Sequence, residues 1–153
     1  MITLHIRHVQ AVRQLPFLGG ETNTAAALNL LCTAVFQSSA GDRPSAPNVA
    51  VLVANGESTL NADRVSAEAA ACRDAGVVLV VVAADRTLAD SGELRSIVSP
   101  PTERNYFIVP YLSALPNYTQ SVFPAMLLCP GLHLDCTCNL HLHTRHIENC
   151  YNR

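Results

Sequence analysis

The chain has 153 residues, of which 49% are hydrophobic and 14% charged, and its formal net charge is −2. This balance excludes a disordered or strongly acidic protein, because such chains are rich in charge and poor in aliphatic residues. A pI near 6.3 leaves no basic field for nucleic acid or an anionic membrane, and the absence of lysine excludes lysine Schiff-base and P-loop chemistry.

From the sequence we expect neither a membrane span nor a signal peptide. The longest apolar run, 75–84, is too short to span a bilayer. Residues 1–8 carry charge where a signal peptide needs an apolar stretch, so we expect no signal peptide. The chain is therefore expected to be cytosolic or an internal piece of a longer protein, with no membrane span.

Hydrophobic periodicity predicts alternating helices and strands along most of the chain. Apolar residues three and four positions apart predict helices over 5–15, 25–36, 62–76, 87–98 and 111–118. The uninterrupted β-branched runs 48–54 and 77–83 predict strands buried on both faces, and 105–109 predicts a third strand. Asn55 and Gly56 are not interpreted as a hairpin turn, because the following segment has helical periodicity.

This alternation predicts a doubly wound, mostly parallel α/β sheet with flanking helices and right-handed crossovers. In such sheets ligands bind beyond the carboxyl ends of the strands. The loops 19–24 and 55–58 are expected to border that crevice, and their hydroxyl and amide oxygens are of the type that a hard cation such as Mg²⁺ prefers.

The six cysteines fall into two groups. Cys32 and Cys72 lie in apolar helical patterns, where a free cysteine usually acts as a small buried hydrophobic residue. The other four lie in the last twenty-five residues.

Four segments together resemble the von Willebrand factor type A domain, with the character of the extracellular-matrix members found in matrilins and collagens. They are 15–28, which contains Gly19-Gly20-Glu21-Thr22-Asn23-Thr24, and 48–58, 67–77 and 92–99. The resemblance extends from about residue 5 to about residue 123, so we expect a partial domain over 1–124 and an irregular tail over 125–153.

The resemblance implies a metal-ion-dependent adhesion site in which Thr22 and the position of Asn55 supply ligands to Mg²⁺ or Mn²⁺. Two departures predict a degenerate site: no Asp-x-Ser-x-Ser loop is present, and Asn55 replaces a carboxylate. The chain is thus expected to lack the central strand of the family. The rim residues Gly20, Glu21, Asn23 and Glu57 are predicted to contact a ligand. The alternative is purely structural, with a loop threonine capping a helix and an asparagine in a turn.

The tail contains a dense group of cysteines and histidines, namely Cys136, Cys138, His141, His143, His146 and Cys150. These side chains suit Zn²⁺ or copper. A Cys-x-Cys spacing without a second Cys-x-x-Cys pair leaves two further interpretations open, a disulfide-bonded extracellular tail and a non-native sequence.

No nucleophile, base and oxyanion donor converge in the pattern, and no Gly-x-Gly-x-x-Gly follows a strand. Asp85, Asp90 and Glu93 are interpreted as solvated charges.

The resemblance implies a non-enzymatic adhesion domain, secreted as part of a longer protein, that binds an extracellular protein such as collagen. Asn117 begins an N-glycosylation acceptor pattern. The alternative is a small intracellular zinc-binding protein that uses the tail.

Overall fold

A computed structural model describes residues 10, 13–16 and 19–118. The helix predicted over 5–15 lies largely outside these residues, and the Cys/His-rich tail lies wholly outside them. Within these residues the helices include α1 (Thr24–Leu30), α2 (Ala62–Asp74), α3 (Gly92–Ile97) and α4 (Thr102–Asn105), and the strands are β1 (Val49–Ala54), β2 (Val78–Ala83) and β3 (Tyr106–Ile108). Residues 115–118 are also helical. Short 3₁₀ turns occupy Ser38–Ala40, Arg86–Asp90 and Leu112–Ala114.

The three described strands form one parallel sheet in the order β1-β2-β3. Residues 49–54 of β1 pair in register with residues 78–83 of β2, and residues 81–83 pair with residues 106–108 of β3. The chain returns from β1 to β2 through α2, and from β2 to β3 through α3 and α4. The parallel α/β prediction is therefore confirmed, and Asn55-Gly56 does not form a hairpin.

A large apolar core separates the sheet from helices α1, α2 and α3. Its buried residues come from alternate positions of β2 and from the inner faces of the helices; they include Leu28, Val65, Ala69, Cys72, Leu79, Val81, Leu94 and Ile97. The alternate β2 residues Val80 and Val82 are buried on the opposite face with Ala84 and Val109. Strand β2 is thus buried on both faces, as its continuous apolar run predicted.

Strand β1 differs from its prediction. Val51 and Val53 are 42% and 41% exposed, so this strand is not buried on both faces. The physical reason is its position at the edge of the described sheet, where one neighbour and one helical layer cover only part of it.

The helical predictions were right in type but wrong in extent. The segment predicted as one helix over 87–98 divides at Ser91, because Asp85 caps a 3₁₀ turn through Thr87 N and Ser91 caps α3 through Leu94 N. The helix predicted over 25–36 continues beyond α1 as a π-helical turn over Leu31–Val35. Helix α4 was not predicted.

Cys32 and Cys72 form a disulfide, with their Cα atoms 5.6 Å apart. The prediction of two free buried thiols was therefore wrong. Both cysteines occupy apolar positions where the α1 segment packs on α2, so the same packing that explains their burial brings them within bonding distance. A bridge across 40 residues stabilises the fold by about 4 kcal/mol in the chain-entropy model.

We predict that reduction of this disulfide lowers the free energy of unfolding by about 4 kcal/mol, measured by urea denaturation with and without reductant. The Cys32→Ala/Cys72→Ala double variant is the matched control, because it removes this bridge and leaves every other cysteine. Reductant should not lower its free energy of unfolding by this amount. Alkylation of Cys32 and Cys72 in the unreduced folded protein, located by peptide mapping, would contradict the pairing.

Candidate functional site

Three loops meet where β1 ends. The first is the Gly-Gly loop 19–23, the second is the segment 55–61 that follows β1, and the third is the start of α3 at 91–93. Gly19 and Gly20 have φ values of 65° and 91°, a left-handed conformation that glycine adopts without a steric penalty. This conformation turns the first loop into α1, which Asn23 caps by accepting a hydrogen bond from Ala26 N at 2.9 Å.

Backbone hydrogen bonds join the first loop to the second. The N–H groups of Thr59 and Leu60 both donate to the carbonyl oxygen of Thr22, at 2.9 and 3.0 Å. In return, Thr22 N–H donates to Thr59 Oγ1 at 2.9 Å. The loop that contains Thr22 and the loop that contains Asn55 are therefore neighbours.

A chain of side-chain hydrogen bonds joins all three loops. Ser58 Oγ lies 2.7 Å from Thr24 Oγ1 and 2.9 Å from Glu93 Oε1, and Ser58 N–H donates to the same Glu93 oxygen at 2.8 Å. Because a carboxylate only accepts and a hydroxyl has one proton, Ser58 Oγ–H donates to Glu93 and the Thr24 hydroxyl donates to Ser58. Glu93 thereby fixes Ser58, and Ser58 fixes the beginning of α1.

A second contact joins the segment 55–61 to the start of α3. Ser91 Oγ donates to Glu57 Oε1 and accepts from Leu94 N. The serine that caps α3 therefore also holds the segment after β1. Since Ser91 is buried, this contact anchors the rim to the core.

The structure corrects the interpretation of Glu93 as a solvated charge at a helix start. Its carboxylate is half-buried and accepts two hydrogen bonds from Ser58. A Ser-Gly-Glu sequence at a predicted helix start was the available signal, but it gave no information about the distant partner.

Asp85 and Asp90, which were also predicted to be solvated charges, differ from each other. Asp90, with a side chain 99% exposed, lies 3.6 Å from Arg95 Nη2 and is solvated as predicted. Asp85 is the cap of a 3₁₀ turn, and hydrogen bonds from the Thr87 backbone and hydroxyl hold the pKa of its carboxyl below the usual range.

The predicted rim residues lie in the first two loops. Gly20, Glu21, Thr22, Asn55 and Glu57 are exposed, and Asn23 is half-buried. The Asn23 amide oxygen is engaged in the helix cap, so the capping expected of this loop is carried by Asn23. The roles of Thr22 and Asn55 as metal ligands stay predictions.

The side chains of the rim offer few ligands for a metal ion. Among the described residues, no group of three or more His, Cys, Asp or Glu side chains is arranged to bind a metal ion. Of the three carboxylates in these loops, Glu57 and Glu93 are engaged by serine hydroxyls, and Glu21 is exposed. Thr22 and Asn55 contribute neutral oxygens, whereas a hard cation depends strongly on anionic oxygen.

Comparison with known families matches residues 7–121 to the von Willebrand factor type A domain. The chain belongs to this family. This type A domain is 36% identical over 101 residues to the collagen alpha-1(XII) chain of Oryctolagus cuniculus and 35% identical over 103 residues to matrilin-4 of Homo sapiens. These alignments cover 66% and 65% of the chain but only 15% and 16% of the two relatives.

Solved structures show the same fold. Proximal thread matrix protein 1 from the mussel byssus matches the type A domain with a TM-score of 0.62 and 19% sequence identity, over 74% of this chain and 28% of that one. A second structure of that mussel protein has a zinc-occupied MIDAS motif. At this level of identity, the similarity establishes the fold alone.

The remaining predicted positions lie at or beyond the end of the described residues. Cys136, Cys138, His141, His143, His146 and Cys150 lie outside the part of the chain that the structure describes. Asn117 is described and exposed, whereas Thr119 of its acceptor pattern is not described. Within the described segments, no helix has both the length and the apolar character needed to cross a membrane.

We predict that Ser58→Ala lowers the free energy of unfolding by about 1–3 kcal/mol, because it removes a hydroxyl that bonds to both Thr24 and Glu93. Thermal unfolding measures the loss, and hydrogen exchange should show faster exchange at the Thr59 and Leu60 amides. Ser113→Ala, at an exposed serine, is the control and should change stability by less than about 0.5 kcal/mol. Equal effects of the two substitutions would refute the proposed linkage of the loops.

Proposed function

We propose that this type A domain is a non-enzymatic adhesion domain that binds an extracellular matrix protein, such as collagen, through the rim at the carboxyl end of β1. The observation that carries the proposal is the hydrogen-bonded junction of three loops around Ser58, in a chain related to matrix collagens and matrilins. The exposed residues Gly20, Glu21 and Glu57, together with Asn23, form the contact surface.

The hydrogen bonds of the two serine hydroxyls in the site favour a binding function over catalysis. The Ser58 hydroxyl donates to Glu93, and the Ser91 hydroxyl donates to Glu57. A nucleophilic oxygen must also be open to a substrate, whereas Ser58 Oγ accepts from the Thr24 hydroxyl and Ser91 Oγ accepts from Leu94 N. Here both serine–carboxylate pairs connect one loop to another, so their geometry supports a rigid docking surface.

We further propose that the divalent-metal site is degenerate. Thr22 and Asn55 would be the ligands for Mg²⁺ or Mn²⁺, but the amide at Asn55 supplies no charge, which weakens attraction for a hard cation. A carboxylate of the partner would complete the coordination if an ion is held. Otherwise the partner is bound by direct side-chain contacts to the rim.

An extracellular location, as part of a longer protein, fits two features of the described residues. The Cys32–Cys72 disulfide persists in an oxidising compartment. Asn117 is exposed, as N-glycosylation requires. Within such a protein, we propose that residues 1–124 form the type A unit and that residues 125–153 form a separate tail.

Surface plasmon resonance on immobilised fibrillar collagen tests the adhesion function. We expect Glu21→Ala to weaken binding by about tenfold, which corresponds to about 1.4 kcal/mol, because Glu21 is exposed on the rim. Glu103→Ala is the matched control, since Glu103 is also exposed but lies in the first turn of α4. Absence of saturable collagen binding, or equal losses for both variants, would contradict the proposed rim.

Calorimetric titration tests the metal proposal. We expect Asn55→Asp to strengthen Mg²⁺ and Mn²⁺ binding by at least about tenfold, because it restores an anionic oxygen at the predicted ligand position. Asn48→Asp introduces the same charge at the opposite end of the strand and should leave the affinity unchanged. Equal behaviour of the two variants would remove Asn55 from the site. Zn²⁺ binding that is lost on mutation of Cys136 and Cys138 would favour the zinc-binding alternative.

A further inference from the structure

Asn55 is followed by Gly56, and no other asparagine of the chain precedes a glycine. An asparagine in this position is chemically reactive, because the backbone nitrogen of the next residue can attack the side-chain amide carbon. Glycine permits this attack best, since it has no Cβ to hinder its own nitrogen or to restrict its backbone. The reaction takes place between two adjacent residues, so the local conformation of the loop decides whether it occurs.

The structure leaves this pair of residues able to react. Asn55 is exposed, and among the described residues neither its side-chain amide nor the Gly56 N–H has a hydrogen-bond partner. The ladder between β1 and β2 ends just before the pair, where Ala84 N–H donates to the Ala54 carbonyl oxygen at 2.7 Å. A Cβ placed on Gly56 would meet no heavy atom within 4 Å, so no neighbouring group crowds the residue whose nitrogen attacks.

Asn61 lies in the same loop and provides an internal comparison. It is also exposed, and its side chain makes no capping hydrogen bond. It is followed by Ala62, the first residue of α2. The alanine Cβ hinders the nitrogen, and the helix fixes the backbone of Ala62. The two asparagines therefore differ in the residue that follows them, and we expect only Asn55 to be reactive.

We propose that Asn55 deamidates spontaneously and thereby adds a carboxylate to the rim. The Gly56 nitrogen forms a bond to Asn55 Cγ, the Cγ–Nδ2 bond breaks, and the amide leaves as ammonia with the proton of the Gly56 N–H. Water then opens the resulting five-membered imide. Opening at Cγ gives aspartate, and opening at the backbone carbonyl carbon gives isoaspartate. Both products carry a carboxyl group that is ionised at neutral pH, and water is the only co-reactant.

The consequence for metal binding rests on the proposed function of the rim. There Asn55 offers a neutral amide oxygen to Mg²⁺ or Mn²⁺, and deamidation replaces it with a carboxylate, which a hard cation prefers. The aspartate product has the same side-chain length as asparagine, so its carboxylate takes the place of the amide. The affinity of the rim for a divalent ion therefore increases as Asn55 is converted.

Peptide mapping by mass spectrometry tests the modification without any ligand. The folded full chain is incubated at neutral pH and physiological temperature, and we expect conversion at Asn55 but not at Asn61. Gly56→Ala should slow the conversion at least about tenfold, which corresponds to a barrier about 1.4 kcal/mol higher. This variant should fold, because Gly56 does not have a positive φ and a Cβ there meets no neighbour. Equal conversion at the two asparagines, conversion at Asn55 only in denatured protein, or an unchanged rate in Gly56→Ala would overturn the proposal.

Calorimetric titration with Mn²⁺ then separates the modification from its effect on the rim. We expect a fraction of the incubated wild type to bind Mn²⁺ as tightly as Asn55→Asp, and incubated Gly56→Ala to bind like fresh protein. Tight binding by Asn55→Asp without any gain in the converted wild type would overturn the effect of deamidation. Weak binding by Asn55→Asp itself would overturn the proposed ligand role of Asn55, whereas its conversion is judged by peptide mapping alone.

Discussion

The position of Ser58 depends on Glu93, and the shape of the candidate site depends on Ser58. One carboxylate oxygen accepts both the backbone and the hydroxyl bond of that serine, and hydrogen bonds to a charged acceptor are about twice as strong as neutral ones. The hydroxyl is also bonded to Thr24 at the first turn of α1. Three loops that are far apart in sequence are thus held as one surface by a half-buried carboxylate.

The core determines where that carboxylate lies. Glu93 and Leu94 are adjacent in α3, and Leu94 is fully buried against the sheet, so the helix start cannot move without disturbing the packing. Beyond the end of α1 that is farther from the rim, the Cys32–Cys72 bridge joins the α1 segment to α2. The rim therefore rests on two helices that are fixed independently, one by burial and one by a covalent bond.

The sequence was most informative where a pattern has one physical cause. The run of valines in β2 predicted a strand buried on both faces, because such runs are typical of strands that are covered on both faces. The similar run in β1 led to the same expectation and was wrong, since a strand's sequence does not reveal which neighbours it has. The Ser58–Glu93 contact could not be predicted, because 35 residues separate its partners. The proximity of the loops containing Thr22 and Asn55 followed from the family resemblance and from the rule that parallel strands end together.

The proposed rim follows from how β1 is bounded at its carboxyl end. At the carboxyl end, the strand passes into a loop whose polar groups are bonded to neighbouring loops, so the surface there is rigid and polar. Ser58 is bonded both to the beginning of α1 and to Glu93 of α3. A ligand that contacts the proposed rim would therefore meet a surface whose shape is already fixed, which lowers the entropy lost on binding.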